Sequence, residues 1–216
     1  MSDSKIKPDT KIAHAWQVFR TAENLTDEQK EQFAIYLREL ERWNATTNIT
    51  AIASEPNILS YHFQDSLAVG HFVPFTGTET ICDVGSGGGF PGIPLKIKYP
   101  DMHVILLEVS NKKIAFLEHI IATLGLQGIE VCDYDWRTFL RKAPLPKIDY
   151  FMARASLKPD MLVKLFQPGY PYNSATLVYW ASKEWEMQEV EKPYVFRQET
   201  YKTGLKHRRL IFMKKS

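Results

Sequence analysis

An acid and three alternating glycines, Asp83-Val84-Gly85-Ser86-Gly87-Gly88-Gly89, stand directly after a short apolar run and ahead of Phe90-Pro91-Gly92. Glycines spaced in this way let a chain turn sharply and let its backbone approach a ligand closely. They do not form the dinucleotide fingerprint G-x-G-x-x-G, because its third glycine would fall on Phe90. The G-x-G-x-G spacing suits a ligand without a pyrophosphate, one that needs room and a partner for an ammonium group, and Asp83 is placed to be that partner. Glu108 ends the next apolar run, about 20 residues beyond Gly85, where an acid at a strand tip can accept hydrogen bonds from both hydroxyls of a ribose. It also opens a helix, whose dipole favours an acid. S-adenosylmethionine carries both groups and no pyrophosphate, and it is the ligand this glycine spacing is expected to hold.

Other polar residues suit a base or a phosphate. Asn44, Asn48 and Thr50 fall in a polar stretch, Asn44 to Ala53, between two helical patterns. Asparagine suits hydrogen bonding to base edges, and it equally caps helices and forms turns. His62 and Asp65 are three apart and share a helix face, so they either line a cleft or pair with each other. Arg154 and Lys183 stand at the ends of predicted strands, the edge where an open α/β sheet binds its ligands. Tyr170, Tyr172, Tyr179, Trp180 and Trp185 cluster beside Lys183. Exposed members could stack on a base; the ordinary role is core or surface. From Tyr201 to the end the charged side chains are Lys202, Lys206, Arg208, Arg209, Lys214 and Lys215, with no acid. Lys206 and Arg208 are candidate phosphate contacts; an edge strand blunted by charge is the alternative.

The elements that must position these groups follow from periodicity. Thr26-Asp27-Glu28-Gln29 has the form of a capping box, and Phe33, Leu37, Leu40 and Trp43 continue at helical spacing. Ser54 can cap a second helix carrying Ile58, His62 and Leu67. From Thr80 short apolar runs alternate with helices: Thr80–Val84, Val104–Glu108, then a helix over 111–124 closed by Gly125. Ile129–Cys132, Ile148–Met152 and Leu177–Trp180 follow, then β segments near Tyr194–Gln198 and Arg209–Met213. Alternation ending in a β pair predicts a doubly wound α/β sheet. The expected organisation is an N-terminal helical extension over 1–75 and one compact core over 76–216.

The chain of 216 residues is long enough for one well-buried domain. With 44% apolar and 24% charged residues its composition is ordinary for a globular protein. A net charge of +2 is too small to establish nucleic-acid binding. No apolar run approaches the length of a membrane span, and the polar Met1–Lys5 segment is not followed by a signal core, so a cytoplasmic location is expected. Cys82 and Cys132 sit in strand-like runs and read as small buried residues. No Cys or His spacing suggests a metal site, and no Cys or Ser-His-Asp nucleophile pattern stands out.

Five segments in order resemble one family. They are Trp43-Asn44-Ala45-Thr46-Thr47-Asn48-Ile49-Thr50-Ala51-Ile52, His62-Phe63-Gln64-Asp65-Ser66-Leu67, Asp83 to Leu95, Leu107-Glu108 with Lys112-Lys113 and Phe116-Leu117, and Arg154-Ala155. Together they are similar to the bacterial small-subunit rRNA guanosine-N7 methyltransferases, the RsmG or glucose-inhibited division protein B family, from about residue 30 onward and more weakly after 165. The resemblance implies a seven-stranded, Rossmann-like class I methyltransferase sheet. It implies S-adenosylmethionine as cofactor, 16S rRNA or the small ribosomal subunit as partner, and guanosine 527 of the 530 loop as target; a monomer is expected, and the sequence itself suggests neither metal nor membrane. Gly85, Gly87, Phe90 and Arg154 would then meet the cofactor, as would Trp136-Arg137, which stands where the family has a small or aliphatic residue followed by Glu. Asn48, His62, Asp65 and Lys183 would serve catalysis, and Asn44, Thr50, Lys206 and Arg208 the RNA. The family's Lys-Gly after the fifth strand is Lys183-Glu184 here, so the lysine carries over and the glycine does not. A methyltransferase for a small molecule or a protein, and a noncatalytic cofactor-binding module, are the competing readings.

Overall fold

The computed structural model describes residues 8–52, 54–142 and 147–215. Met1–Lys5 and Ala53, at the end of the polar stretch, lie outside them. Helix α1 (Pro8–Ala22) leads into α2 (Asp27–Thr47). The capping box at the start of α2 is formed in both directions: Thr26 Oγ1 accepts from Gln29 N and the Gln29 side chain accepts from Thr26 N, each at 3.1 Å. Such a cap contributes about 1 kcal/mol. The helix runs further than expected, placing Asn44 inside it rather than in a break, and ends where Asn48 turns left-handed at φ 49°. Then come α3 (Glu55–Ile58), a π-helical turn (Leu59–Gln64), α4 (Asp65–Leu67) and a 3-10 turn (Ala68–His71). Ser54 opens α3 without a side-chain cap.

The rest alternates: β1 (Thr80–Val84), α5 (Gly92–Lys98), β2 (His103–Leu107), α6 (Asn111–Leu124), β3 (Ile129–Cys132), α7 (Trp136–Arg141), β4 (Tyr150–Arg154), α8 (Pro159–Leu162), β5 (Thr176–Ala181), β6 (Val195–Thr203) and β7 (Lys206–Met213). They form one sheet in the order β3-β2-β1-β4-β5-β7-β6, parallel except where antiparallel β7 inserts between β5 and β6. This is the expected doubly wound α/β sheet with a terminal antiparallel pair. The chain builds outward from β1 to one side through β2 and β3 and to the other through β4 and β5, so the strand order reverses between β1 and β4, the crevice where such sheets bind ligands.

Alternate residues of the inner strands bury on opposite faces. Ile81, Val104, Leu106, Met152 and Phe212 join a core completed by Phe19, Phe33, Tyr36 and Leu40 from α1 and α2, Ile93 from α5, and Phe116 from α6. Cys82, Ile105, Phe151, Leu177 and Ile211 face Trp136, Phe139 and Leu162 of α7 and α8. The leading helices thus complete the core on one face. Edge strand β6 is mostly exposed and carries Arg197, Glu199 and Lys202, charges that blunt an open edge. Cys82 is buried as expected, whereas Cys132 is only partly so because β3 is the other edge. No described helix is long and apolar enough to cross a membrane.

Candidate active site

The glycine turn starts where β1 ends. Gly85, Gly87 and Gly89 take φ of 70°, 60° and 92°, a left-handed backbone that side chains disfavour. Close packing adds to this requirement at two of them. A Cβ on Gly85 would come within 2.5 Å of Ser156 Cβ, and one on Gly89 within 2.5 Å of Ile93 Cδ1 and 2.7 Å of the Tyr36 hydroxyl oxygen. Tyr36 in turn donates its hydroxyl to Gly88 O, tying α2 to the turn.

Across the turn lies a cleft of about 350 Å³, lined among others by Gly85, Glu108, Lys113, Tyr134, Trp136 and Ser156. Glu108 Oε2 accepts from Gly87 N at 2.8 Å, and Oε1 accepts from Val109 N and Ser110 N, both at 3.0 Å. The carboxylate therefore braces the glycine turn and satisfies the N–H groups of the two residues ahead of α6. Oε2 keeps one lone pair for a hydroxyl of a bound ribose. Trp136 is buried with its Nε1–H on Met161 O at 3.0 Å, so its ring forms a fixed wall. The neighbouring Arg137 side chain is exposed and does not line the cleft; Asp135 Oδ1 caps α7 by accepting from Arg137 N.

Asp83 lies behind the turn instead of lining the cleft. It is fully buried, and Oδ2 accepts from Gly92 N at 2.8 Å while Oδ1 has no partner among the described residues. Burial pushes its carboxyl up to about 7, against the pull of the Gly92 N–H and the Arg154 charge. Phe90 also turns away from the cleft into the helical layer. The His62 ring lies parallel to it at 4.3 Å between centroids, and the Arg154 guanidinium stands 5.1 Å from its centroid.

Arg154 ends β4 and is the centre of a polar network. One terminal nitrogen donates to Asp65 Oδ2 and to Tyr61 O, both at 2.9 Å, and the other lies 3.1 Å from His62 Nδ1. Asp65 is almost completely buried. Its Oδ1 accepts the Tyr201 hydroxyl at 2.6 Å and lies 3.6 Å from Arg208 Nε. Its backbone carbonyl accepts Trp180 Nε1–H at 2.9 Å. His62 Nε2 is 2.7 Å from Thr50 Oγ1, and Thr50 N donates to Asn44 Oδ1 at 2.8 Å. Burial, with Arg154 and then Arg208 beside it, holds His62 at about 3, so the ring is neutral. An arginine can only donate, so His62 Nδ1 accepts, its proton sits on Nε2, and Nε2 donates to Thr50.

The chain thus brings Asn44, Thr50, His62, Asp65, Arg154 and Arg208 together. His62 and Asp65 do not pair with each other; they share Arg154. Arg208 turns inward to Asp65, and Lys206 Nζ sits 4.4 Å over the Tyr61 ring. Asn48 and Lys183 are exposed and are not drawn into the network. Tyr172 and Trp180 are core residues, and Trp185 packs under the Arg209 guanidinium. Sequence reasoning missed Tyr201, which closes the network, and Tyr134 and Ser156 of the cleft wall. A larger cleft, about 730 Å³, lies between α1 and α2, with neither the glycine turn nor a strand end in its lining. No group of side chains among the described residues is arranged to hold a metal.

The model of one protein family, rRNA small subunit methyltransferase G, matches residues 29–211. Ribosomal RNA small subunit methyltransferase G of Staphylococcus haemolyticus is 37% identical over 168 residues, 77% of this chain and 70% of the relative. The protein of the same name from Listeria innocua is 36% identical over 78% of this chain and 71% of its own length. Among solved structures, a SAM dependent methyltransferase from Aquifex aeolicus superposes with a TM-score of 0.56 at 18% identity, covering 77% of this chain and 96% of that one. Magnesium protoporphyrin IX methyltransferase from Synechocystis with bound SAM gives 0.58 at 15% identity, covering 84% and 97%; at these identities the likeness is one of fold. S-adenosylmethionine is the cofactor, and the site fits it. Gly85 has no space for a side chain against Ser156, Glu108 retains an acceptor at the tip of β2, and Trp136 offers an apolar wall. A glycine turn braced by a strand-tip acid, a polar network on the next strand, and a family match running through both lead to one assignment: the chain belongs to the rRNA small subunit methyltransferase G family.

Proposed function

We propose that the protein transfers a methyl group to N7 of a guanine in 16S rRNA, guanosine 527 of the 530 loop by family resemblance. The observation that carries the reading is the family match over residues 29–211, which spans both the cleft and the Arg154 network. Bound S-adenosylmethionine supplies an electrophilic methyl group on its sulfonium. Gly85 and Gly87 admit it, Glu108 takes a ribose hydroxyl, and Trp136 walls the cleft.

The chemistry of the network supports N7 over a protonated position. Guanine N7 carries an in-plane lone pair and no proton, so attack requires alignment and no general base. His62 is neutral, but its only lone pair on nitrogen already accepts from Arg154. Both oxygens of Asp65 accept hydrogen bonds, and the carboxylate is almost completely buried between Arg154 and Arg208, so its remaining lone pairs are out of a substrate's reach. What the network leaves available are donors. Thr50 Oγ1 accepts from His62 and from Ile52 N, so its own proton is free to donate. Asn44 uses its oxygen on Thr50 N, which leaves its amide N–H groups. These donors suit the O6 acceptor beside N7. Arg154 and Arg208 exceed Asp65 by one positive charge, which favours a polyanion alongside. In these roles Arg154, His62 and Asp65 are positioning residues, and Asn48, Lys183 and Lys206 stand at the approach of the RNA.

The test is methyl transfer from labelled S-adenosylmethionine to small-subunit rRNA and small subunits, followed by mass spectrometry of the nucleosides and of sequence-specific nuclease fragments. 7-Methylguanosine at one position is expected. Label in another nucleoside, or in metabolites or protein alone, refutes the proposal.

A further inference from the structure

The tip of the β6–β7 hairpin carries Leu205, which is 87% exposed, the most exposed large apolar side chain described. Isolated exposed leucines are ordinary; this one differs in how it is held and in what surrounds it. Thr203 pairs with Lys206, so the loop is the two residues Gly204-Leu205. Only Gly204 has a positive φ, 53°. The second loop position of such a turn is usually small and polar, so leucine contributes nothing to the turn and buries almost nothing.

The tip is nevertheless rigidly anchored. Thr203 Oγ1 donates to Ser60 O at 2.5 Å, and Leu205 N donates to the Tyr61 hydroxyl at 3.4 Å. Gly204 packs so closely on Tyr61 that a Cβ would lie 2.9 Å from the ring, and Lys206 covers that ring. Tyr61 precedes His62 and gives its carbonyl to Arg154, and Tyr201 on the same hairpin holds Asp65. The knob is therefore fixed relative to the site. The antiparallel register pairs Lys202 with His207, both exposed on one face of the hairpin, while Lys206, exposed as well, pairs with Thr203 and projects from the other face, so the tip carries positive charge on both sides.

We propose that this tip is an RNA wedge: Leu205 packs against an unstacked base next to the target guanosine, while Lys202, Lys206 and His207 face the flanking phosphates. Proteins that act on or distort stacked nucleic acid use apolar side chains in this way, because a base leaving the stack exposes apolar faces that need cover. A rigid anchor matters because a mobile loop would lose backbone entropy on insertion.

The inference rests on the rRNA reading above, and the experiment separates the two. Binding of small-subunit rRNA, by fluorescence anisotropy at fixed salt, is measured beside methyl transfer for wild type, Leu205→Ala and Leu205→Phe. Leu205→Ala removes no buried contact, and an unchanged unfolding temperature checks this. It is expected to weaken RNA binding and lower kcat/KM for RNA by roughly ten-fold, the scale of burying one leucine side chain, with S-adenosylmethionine affinity unchanged and Leu205→Phe close to wild type. The Lys202→Ala/Lys206→Ala pair should reduce the salt slope of binding by about 2. Equal RNA binding and kcat/KM in Leu205→Ala and wild type overturn the wedge while the methyltransferase reading stands. A wild-type protein that binds rRNA with the expected Leu205 dependence but transfers no methyl group overturns only that reading, and one that binds no rRNA overturns both.

Discussion

Replacing Asp65 by asparagine removes one negative charge and almost no volume. The wild-type carboxylate accepts from Tyr201 at 2.6 Å and Arg154 at 2.9 Å, with Arg208 Nε 3.6 Å away. An amide keeps one oxygen acceptor and can donate to the Tyr201 hydroxyl, so the shape survives. The charge balance does not, because two guanidiniums are left without their shared counter-ion. Removing one partner of a buried ion pair costs about 3–5 kcal/mol. Here the arginine side chains are 12% and 28% exposed, so solvent offsets part of it and the low end, about 3 kcal/mol, applies. For a domain of this size that is a fall of roughly 6–12 °C in Tm. Thermal unfolding of Asp65→Asn, Arg208→Met and the double variant measures it. With Arg208 gone, asparagine faces only one guanidinium, so the two changes should couple by at least about 1 kcal/mol. Strict additivity, or a fall below about 2 °C for Asp65→Asn, would show that the carboxylate is not the hub of this network.

The glycine turn makes a graded prediction. Gly87→Ala meets only Gly85 O at 3.9 Å and pays for the left-handed backbone alone, roughly 1–2 kcal/mol, whereas Gly85→Ala must also displace Ser156 and should weaken S-adenosylmethionine binding by more than roughly ten-fold; calorimetry showing the two variants alike would sink this. Asp83 titrates near 7 in the fold against 3.8 unfolded, so its stabilising contribution is complete below about pH 4 and is lost as pH rises through about 7. Asp83→Asn should flatten that part of the urea-unfolding profile, and an unaltered slope contradicts the buried neutral acid. His62 titrates in the opposite sense: the unfolded ring takes a proton below about 6.5 that the folded ring refuses until about 3, so its contribution is lost as pH falls over that range. Methyl transfer should accordingly show no inflection from His62 between about pH 5 and 8; one that vanishes in His62→Asn means the ring is charged. Glu108→Ala removes the brace on Gly87 N and the acceptors of Val109 and Ser110, and should weaken cofactor binding more than Trp136→Phe, a ranking that binding titrations of the two variants check.

The sheet was legible because its signals are local. Alternating apolar runs and the Gly125 stop are read within a few residues, and the positions of β1, α6 and β3 follow. The glycine turn was legible because glycine at alternate positions after a strand has few other uses. The network was legible only in part. His62, Asp65 and Arg154 were identified as separate candidates, but their connection passes through a π-helical turn, whose extra residue per turn changes which side chains share a face. The i, i+3 spacing of His62 and Asp65 therefore suggested a pair, where the structure has both reaching Arg154. Tyr201 was invisible for a different reason. Its partner is 136 residues away in sequence, and a tyrosine in a basic edge strand has no local mark of an inward role. The local sequence places Asp83 and Phe90 in the turn and so points them toward the ligand; the direction each side chain takes depends on α5 and on the helical layer, which the local sequence does not specify.

Under the proposed transfer to guanine N7 the site needs no base, and the hydrogen-bond directions then account for the many polar groups around it. Arg154 accepts nothing, so it fixes His62 as a neutral ring with its proton on Nε2. His62 then donates to Thr50, whose oxygen also receives Ile52 N–H, and the only proton left to place is the Thr50 hydroxyl's own. Asp65 stands on the other side of Arg154 and keeps the guanidinium in place, with Tyr201 and Arg208 holding the carboxylate in turn. The sequence of constraints runs from a buried acid on α4, through a β4 arginine, to a hydroxyl in the loop after α2, and it ends in donors. A site that abstracted a proton would have to present an accessible lone pair on one of these groups, and those that Asp65 retains are buried. The arrangement therefore fits a nucleophile that arrives with its lone pair already exposed, as guanine N7 does.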